Sequence, residues 1–196
     1  VVARPRTFDE DTVVAAARDR FWTGGYAATS VDDLSAATGL GKGSLYGAFG
    51  DKHALFVRAL DGYCADAIDK AVAELTQPGM AAYDRLAAHV RARADAVVAD
   101  VDRRGCMMSK SAAELGATDP DVDRVVGRSL NRWWQALVDC VAEAQGDGMV
   151  TAGADSEALA TLLLGVLRGF ETLWKGGVEP GRIVAAAEAA LVLVAG

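Results

Sequence analysis

Histidine and cysteine are scarce in this chain, and their scarcity removes whole classes of chemistry. His53 and His89 are the two histidines, and Cys64, Cys106 and Cys140 are three thiols with no CxxC and no Cys/His ligand spacing. A structural zinc site or a disulfide framework is not expected, and neither a metal nor a cofactor is called for. Long apolar runs are also missing. The stretches at Leu159–Val166 and Ala189–Ala195 fall short of the ~18 residues of a membrane span, and Arg168, Glu171 and Glu188 interrupt them. Val1–Arg6 lack the apolar core of an export signal, so a cytoplasmic address is expected. No segment shows the sustained period-two alternation of a strand. No GxSxG, no HExxH and no glycine-rich phosphate loop in a strand–helix context occurs, so an enzyme is not expected.

What is present belongs to a folded protein: 52% of residues are hydrophobic and 24% charged. The net charge of −7 is unevenly placed. In residues 1–60, Arg4, Arg6, Arg18, Arg20, Lys42, Lys52 and Arg58 balance an equal number of acids, so the whole excess falls in residues 61–196. That distribution leaves a small local footprint for a polyanion near the start and an acidic remainder.

Glycine and proline divide the chain into helical blocks, and the fold class read from them is all-α. The expected helices cover Thr7–Thr23, Val31–Thr38, Lys42–Phe49, Asp51–Leu75, Met80–Val101, Met107–Leu115, Pro120–Gln145, Asp155–Lys175 and Pro180–Val194. In the fifth, Tyr83, Leu86, Val90, Val97 and Val101 repeat every 3.6 residues, which predicts one buried stripe with Arg93 at its edge. The last two are apolar in nearly every direction and must be covered on every side. A second copy of the chain is the simplest cover, with Leu159, Leu163, Gly165, Val166, Gly169, Phe170, Ala187 and Leu191 as the expected homodimer interface.

Residues 25–56 carry the most specific pattern. An eight-residue helix, the turn Gly39-Leu40-Gly41 and a second short helix have the proportions of a DNA-binding helix-turn-helix. Gly25-Tyr26, Thr29-Ser30, Leu34, Ala37, Gly39, Lys42-Gly43, Leu45-Tyr46, Phe49, Lys52 and Leu55-Phe56 make the stretch Val13–Phe56 closely similar to the N-terminal signature of the TetR/AcrR family of bacterial regulators. The resemblance implies a three-helix DNA-binding domain in residues 1–50, a helical ligand-binding and dimerisation domain in 51–196, and helix 51–75 as their connector. Double-stranded operator DNA is the implied partner. Lys42, Ser44, Gly47 and Ala48 lie on the recognition helix, where lysine can donate to guanine and the Ala48 methyl can meet thymine. Thr29, Ser30, Tyr46 and Lys52 are within reach of phosphates, although Thr29 and Ser30 also suit a helix cap and the Tyr46 ring also suits packing beside Phe49. Lys52 stands out because a cation in the first turn of a helix opposes the dipole. Arg4 and Arg6 form an arm for a minor groove or phosphates, or else a solvated tail. Gly41 replaces a frequent cap serine, and Gly47-Ala48 replaces bulkier groups, so direct base reading is thin and DNA shape carries more of the choice.

The C-terminal half is similar to the effector domain of the same family, and Gly105-Cys106-Met107-Met108 through Asp119-Pro120 resembles a stretch seen in one subgroup. Candidate effector contacts are His89, Arg93, Met107, Met108, Ser111, Trp133, Trp134, Phe170 and Trp174. Arg93 is the most informative: an arginine beside an apolar stripe needs either a protein carboxylate or an anionic ligand. The expected function is transcriptional repression released by a small, largely apolar effector. A redox-sensing regulator using Cys106 and an all-helical small-molecule carrier are the alternatives.

Overall fold

Short polar caps set the helix boundaries in the computed structural model, which describes residues 8–195. Asp9 accepts the backbone N–H of Thr12 at 2.7 Å and starts α1 (Glu10–Gly24). Ser30 and Asp33 form a reciprocal capping box at the start of α2 (Val31–Thr38), and Gly39, at φ 70°, ends it in the left-handed region that favours glycine. α3 (Lys42–Phe49) begins at Gly41 with no side-chain cap. Asp51 accepts the N–H of Ala54 at 2.7 Å and starts α4 (Lys52–Leu75). There follow α5 (Ala82–Ala99), α6 (Met107–Leu115), α7 (Pro120–Gly146), α8 (Ser156–Lys175) and α9 (Pro180–Ala195). The described residues are all-helical apart from turns, as the sequence predicts, and none of these helices is long and apolar enough to cross a membrane.

Contacts divide the chain into two compact units. Among the described residues, the first holds those up to Cys64 together with Cys106–Val126; the second holds Ala65–Gly105 and those from Gly127 onward. In the first, Phe21 meets Phe56 edge to face at 5.0 Å and Tyr26 tilts against Phe56 at 4.9 Å. Val13, Ala17, Leu34, Leu45, Leu55 and Leu60 are buried with them. In the second, one stripe from each of α5, α7, α8 and α9 and the last turns of α4 form a single core that includes Leu75, Leu86, Val90, Leu137, Leu163, Phe170 and Leu191. Each fully buried leucine or phenylalanine contributes roughly 1.5–3 kcal/mol relative to exposure.

The stripe predicted on α5 needs one correction. Val101 is 83% exposed, because α5 stops at Ala99 and Val101 falls in the following turn.

Candidate nucleic-acid interface and sensing cluster

α3 buries only Leu45 and Phe49, four residues apart, and leaves Lys42, Gly43, Ser44, Tyr46 and Gly47 exposed, with Ala48 half-buried. A Cβ added at Gly41, Gly43 or Gly47 would meet nothing within 4 Å, so this side of the helix is open. Lys42 Nζ reaches back across the turn to Asp32 Oδ1 at 2.9 Å. That hydrogen bond raises the Lys42 ammonium above its ordinary value, keeping it charged.

The remaining expected DNA contacts separate by burial. Ser30 is exposed, with its hydroxyl engaged by Asp33. Thr29 is 2% exposed and donates its hydroxyl to the Gly25 carbonyl at 2.7 Å, which makes it an internal strut rather than a group available to phosphate. Lys52, whose place in the first turn of α4 looked unexplained without a phosphate, has its Nζ 4.3 Å from the centre of the Tyr26 ring. The aromatic face is a protein-internal partner for that cation. Arg4 and Arg6 lie outside the described residues.

α6 holds the turn after α1 from two sides, through residues that sequence reading missed. Glu114 accepts the N–H of Tyr26 at 2.9 Å and of Ala27 at 2.7 Å, and Lys110 donates to the carbonyls of Trp22 and Thr23 at 2.5 and 3.2 Å. The two side chains are one helical turn apart, so a single face of α6 carries an acceptor for the turn's donors and a donor for the helix's last carbonyls. Gly25, at φ 82°, is required here: a Cβ would come within 2.9 Å of Glu114 Oε2. His53 Nε2 donates to Asp119 Oδ2 at 2.6 Å, while Asp119 Oδ1 caps α7 through Asp121 and Val122. His53, Asp119 and Asp121 bring three possible ligand atoms within 4.8 Å, but Asp119 is already committed to the cap and to the imidazole, which accounts for the cluster without an ion.

In the second unit three of the expected effector contacts are linked, His89 and Trp133 directly and Arg93 through Glu74. His89 is fully buried; its Nε2 accepts from Trp133 Nε1 at 3.0 Å and its Nδ1 lies 2.7 Å from Glu74 Oε2. An indole N–H can only donate, so Nε2 carries the lone pair, Nδ1 carries the proton, and the imidazole is neutral. Burial pushes the His89 value down, opposed by the Glu74 hydrogen bond and reinforced by the Arg93 charge. Burial pushes Glu74 up, but the His89 hydrogen bond and Arg93 outweigh it and hold the carboxyl below its usual range. The partner of Arg93 is therefore a protein carboxylate: its Nη2 reaches Glu74 Oε1 at 3.1 Å. The Arg168 guanidinium lies 4.6 Å from the Trp133 ring centre. Trp134 donates to Thr161 Oγ1 and Trp174 to the Asp100 carbonyl, and Phe170 is buried in the core. Met107, Met108 and Ser111 are buried and belong to the first unit. Cys64 and Cys140 are buried free thiols and Cys106 a half-buried one.

Comparison with known proteins decides the family. Residues 13–59 match the model for bacterial regulatory proteins of the tetR family, and residues 82–176 match a tetracyclin repressor-like C-terminal domain. A cysteine mutant of the TetR family transcriptional regulator CifR, solved with 26-bp double-strand operator DNA, is 30% identical, covers 98% of this chain and 100% of its own, and superposes with a TM-score of 0.76. The chain belongs to the TetR family. It is thus a transcriptional regulator and not an enzyme. HTH-type transcriptional repressor ComR of Escherichia coli (strain K12) is 27% identical over 176 residues, which are 90% of this chain and 84% of ComR. The reduced form of E. coli NemR, at 17% identity and TM-score 0.81, shares the fold over 94% of this chain and 96% of its own.

Several interface positions expected of a TetR-family homodimer are used inside the protomer instead. Leu163, Phe170, Ala187 and Leu191 are all buried within the second unit. Leu159, Val166 and Gly169 are half-buried and Gly165 is exposed. The apolar groups left facing outward are their neighbours: Leu162 and Leu173 on α8, and Val184, Val192 and Leu193 on α9. Sequence periodicity could not divide inner from outer stripe on helices that are apolar all round.

Proposed function

We propose that the chain is an operator-binding repressor of transcription that acts as a homodimer and releases DNA when a small molecule occupies its second unit. The observation that carries the DNA half is the exposure of α3: five of its eight residues face outward while Leu45 and Phe49 anchor it. A short helix presented on a rigid three-helix base suits insertion into a major groove. Lys42 and Ser44 would read base edges or phosphates, Gly47 and Ala48 would let the backbone approach closely, and Tyr46 and Lys52 would reach flanking phosphates. Ser30 would add a phosphate contact only by giving up part of its capping box. In this reading residues 1–50 hold DNA, residues 51–196 hold effector and partner, and α4 connects them. Its place of action is the bacterial cytoplasm, where operators are.

The exposed apolar side chains of α8 and α9 support the dimer. Leu162, Gly165, Val166, Gly169 and Leu173 recur at helical spacing, and no atom lies within 4 Å of a Cβ built on Gly165 or Gly169. A two-fold pair of such faces makes an isologous interface. It requires two half-sites about one helical turn, ~34 Å, or a multiple apart.

Fluorescence anisotropy of labelled duplexes against wild type and Lys42→Ala tests the reading. A palindromic site bound by wild type and weakened on substitution supports it; equal affinity of the two proteins for every duplex overturns it.

A further inference from the structure

Two arginines stand two positions apart on α5, and they are paired very differently. Arg91, on the exposed side, grips Glu188 with its full fork: Nε to Oε1 at 2.6 Å and Nη2 to Oε2 at 2.8 Å. Arg93, mostly buried, touches Glu74 through Nη2 alone, at 3.1 Å to Oε1 and 3.4 Å to Oε2. Its Nε is buried and has no hydrogen-bond partner. A guanidinium edge presents two parallel N–H groups matched to the two oxygens of a carboxylate. On Arg91 that edge is filled; on Arg93 it is half empty.

The neighbours of Arg93 are fixed. His89 must donate from Nδ1 to Glu74 because Trp133 occupies Nε2, so the imidazole cannot turn to accept from Arg93. Glu74, with 26% of its side chain exposed against 18% for Arg93 and none for His89, is the most water-accessible of the three, and it stands in the last turn of α4. A carboxylate entering beside Glu74 would therefore have to compete for the shared Nη2 and, by displacing Glu74 from it, reach the unpaired, buried Nε.

We infer that the effector is a small organic carboxylate, which binds the Nε/Nη2 edge of Arg93 as Glu188 binds Arg91, displaces Glu74 from that arginine and so loosens the final turn of α4. The inference rests on the effector-responsive reading above and names the chemical class that the site takes. Glu74 then acts as a built-in competitor: in the free protein it occupies one donor of Arg93 and ties α4 to α5, and the ligand carboxylate exchanges with it. A neutral amide of the same shape places an N–H₂ against an N–H donor and loses the exchange.

Titration of the full chain with propionate, butyrate, benzoate and phenylacetate, each beside its primary amide and beside inorganic sulfate, reads the exchange through intrinsic tryptophan fluorescence, to which Trp133 contributes from within the cluster. At least one acid is expected to bind roughly tenfold or more tightly than its amide and more tightly than sulfate. Glu74→Gln removes the competing charge and should raise acid affinity several-fold, a gain that mere structural damage does not produce; Arg93→Gln should abolish the preference of acid over amide in a protein with an unchanged melting profile. Equal binding of acid and amide, sulfate binding as tightly as any acid, no saturable binding of any acid at millimolar concentration, or weaker acid binding by Glu74→Gln each overturns the inference. Operator affinity of the ligand-free protein is measured alongside. If that is absent the regulator reading itself fails, whereas operator binding released equally by neutral compounds sinks the carboxylate alone.

Discussion

Lys42 of α3 is ion-paired with Asp32 of α2 at 2.9 Å, and both side chains are largely exposed. An exposed pair of this kind adds little to stability, but it places an anion beside the lysine that α3 offers to DNA. Phosphate or a base acceptor must replace Asp32 before Lys42 can engage. Asp32→Asn is therefore expected to tighten binding to all duplexes by a few-fold and to steepen the dependence of log K on log salt by ~1. Anisotropy at two salt concentrations checks both; unchanged affinity would mean that Lys42 stays paired with Asp32 on DNA.

Glu114 satisfies two backbone donors of the turn after α1. Glu114→Ala leaves both without their acceptor, a loss of ~1–3 kcal/mol. Denaturant unfolding should show it, and operator affinity should fall because the turn orients α2. Full operator affinity in a destabilised variant would separate the clamp from the DNA-reading helices.

The neutral, buried His89 gives a pH window. Its folded-state value is depressed, so above about pH 6.5 neither folded nor unfolded chain binds the proton and no slope arises. Below that the unfolded chain takes up a proton that the folded chain refuses, and stability falls by at most about 1.4 kcal/mol per pH unit. Glu74, also depressed, adds its loss only at lower pH, as the solution passes down through its folded value. Unfolding measured between about pH 7.5 and about pH 5 should show the first slope in wild type and lose it in His89→Gln. A wild-type curve flat across that range would contradict the buried neutral imidazole.

The burial pattern of α8 divides two substitutions that sequence alone would equate. Leu162→Asp places a charge on an exposed apolar side and should give folded monomers; Leu163→Asp places it in a fully buried core position and should unfold the second unit. Sedimentation with circular dichroism distinguishes them. A dimeric Leu162→Asp would move the interface off this face.

The helices were legible because their punctuation is local. Ser30 as a cap, Gly39 as a stop and Pro180 as a start each act within one turn of the chain, and spacing exposes them. The helix-turn-helix was legible for the same reason. What stayed hidden depends on partners far apart in sequence. Thr29 reads as a cap or phosphate contact until its hydroxyl is seen on Gly25 inside the packed turn, and Lys52 reads as unsatisfied until Tyr26 comes beneath it. Arg93 was flagged by its position beside a buried stripe, but the identity of its carboxylate, 19 residues away, required the fold. Lys110 and Glu114 look like an ordinary i,i+4 pair on a helix surface, and only the packing of α6 against α1 turns them into a clamp.

Selection of bound duplexes from a randomised pool, by wild type and by Lys42→Ala in parallel, tests the operator-reading role of α3 most directly. Wild type should enrich a palindrome whose half-sites lie one helical turn or a multiple apart, and Lys42→Ala should relax the preference at one base pair in each half-site, a change of ~1–3 kcal/mol if the lysine reads guanine. Failure of wild type to enrich any sequence, or an identical palindrome with identical preferences from both proteins, would contradict the account.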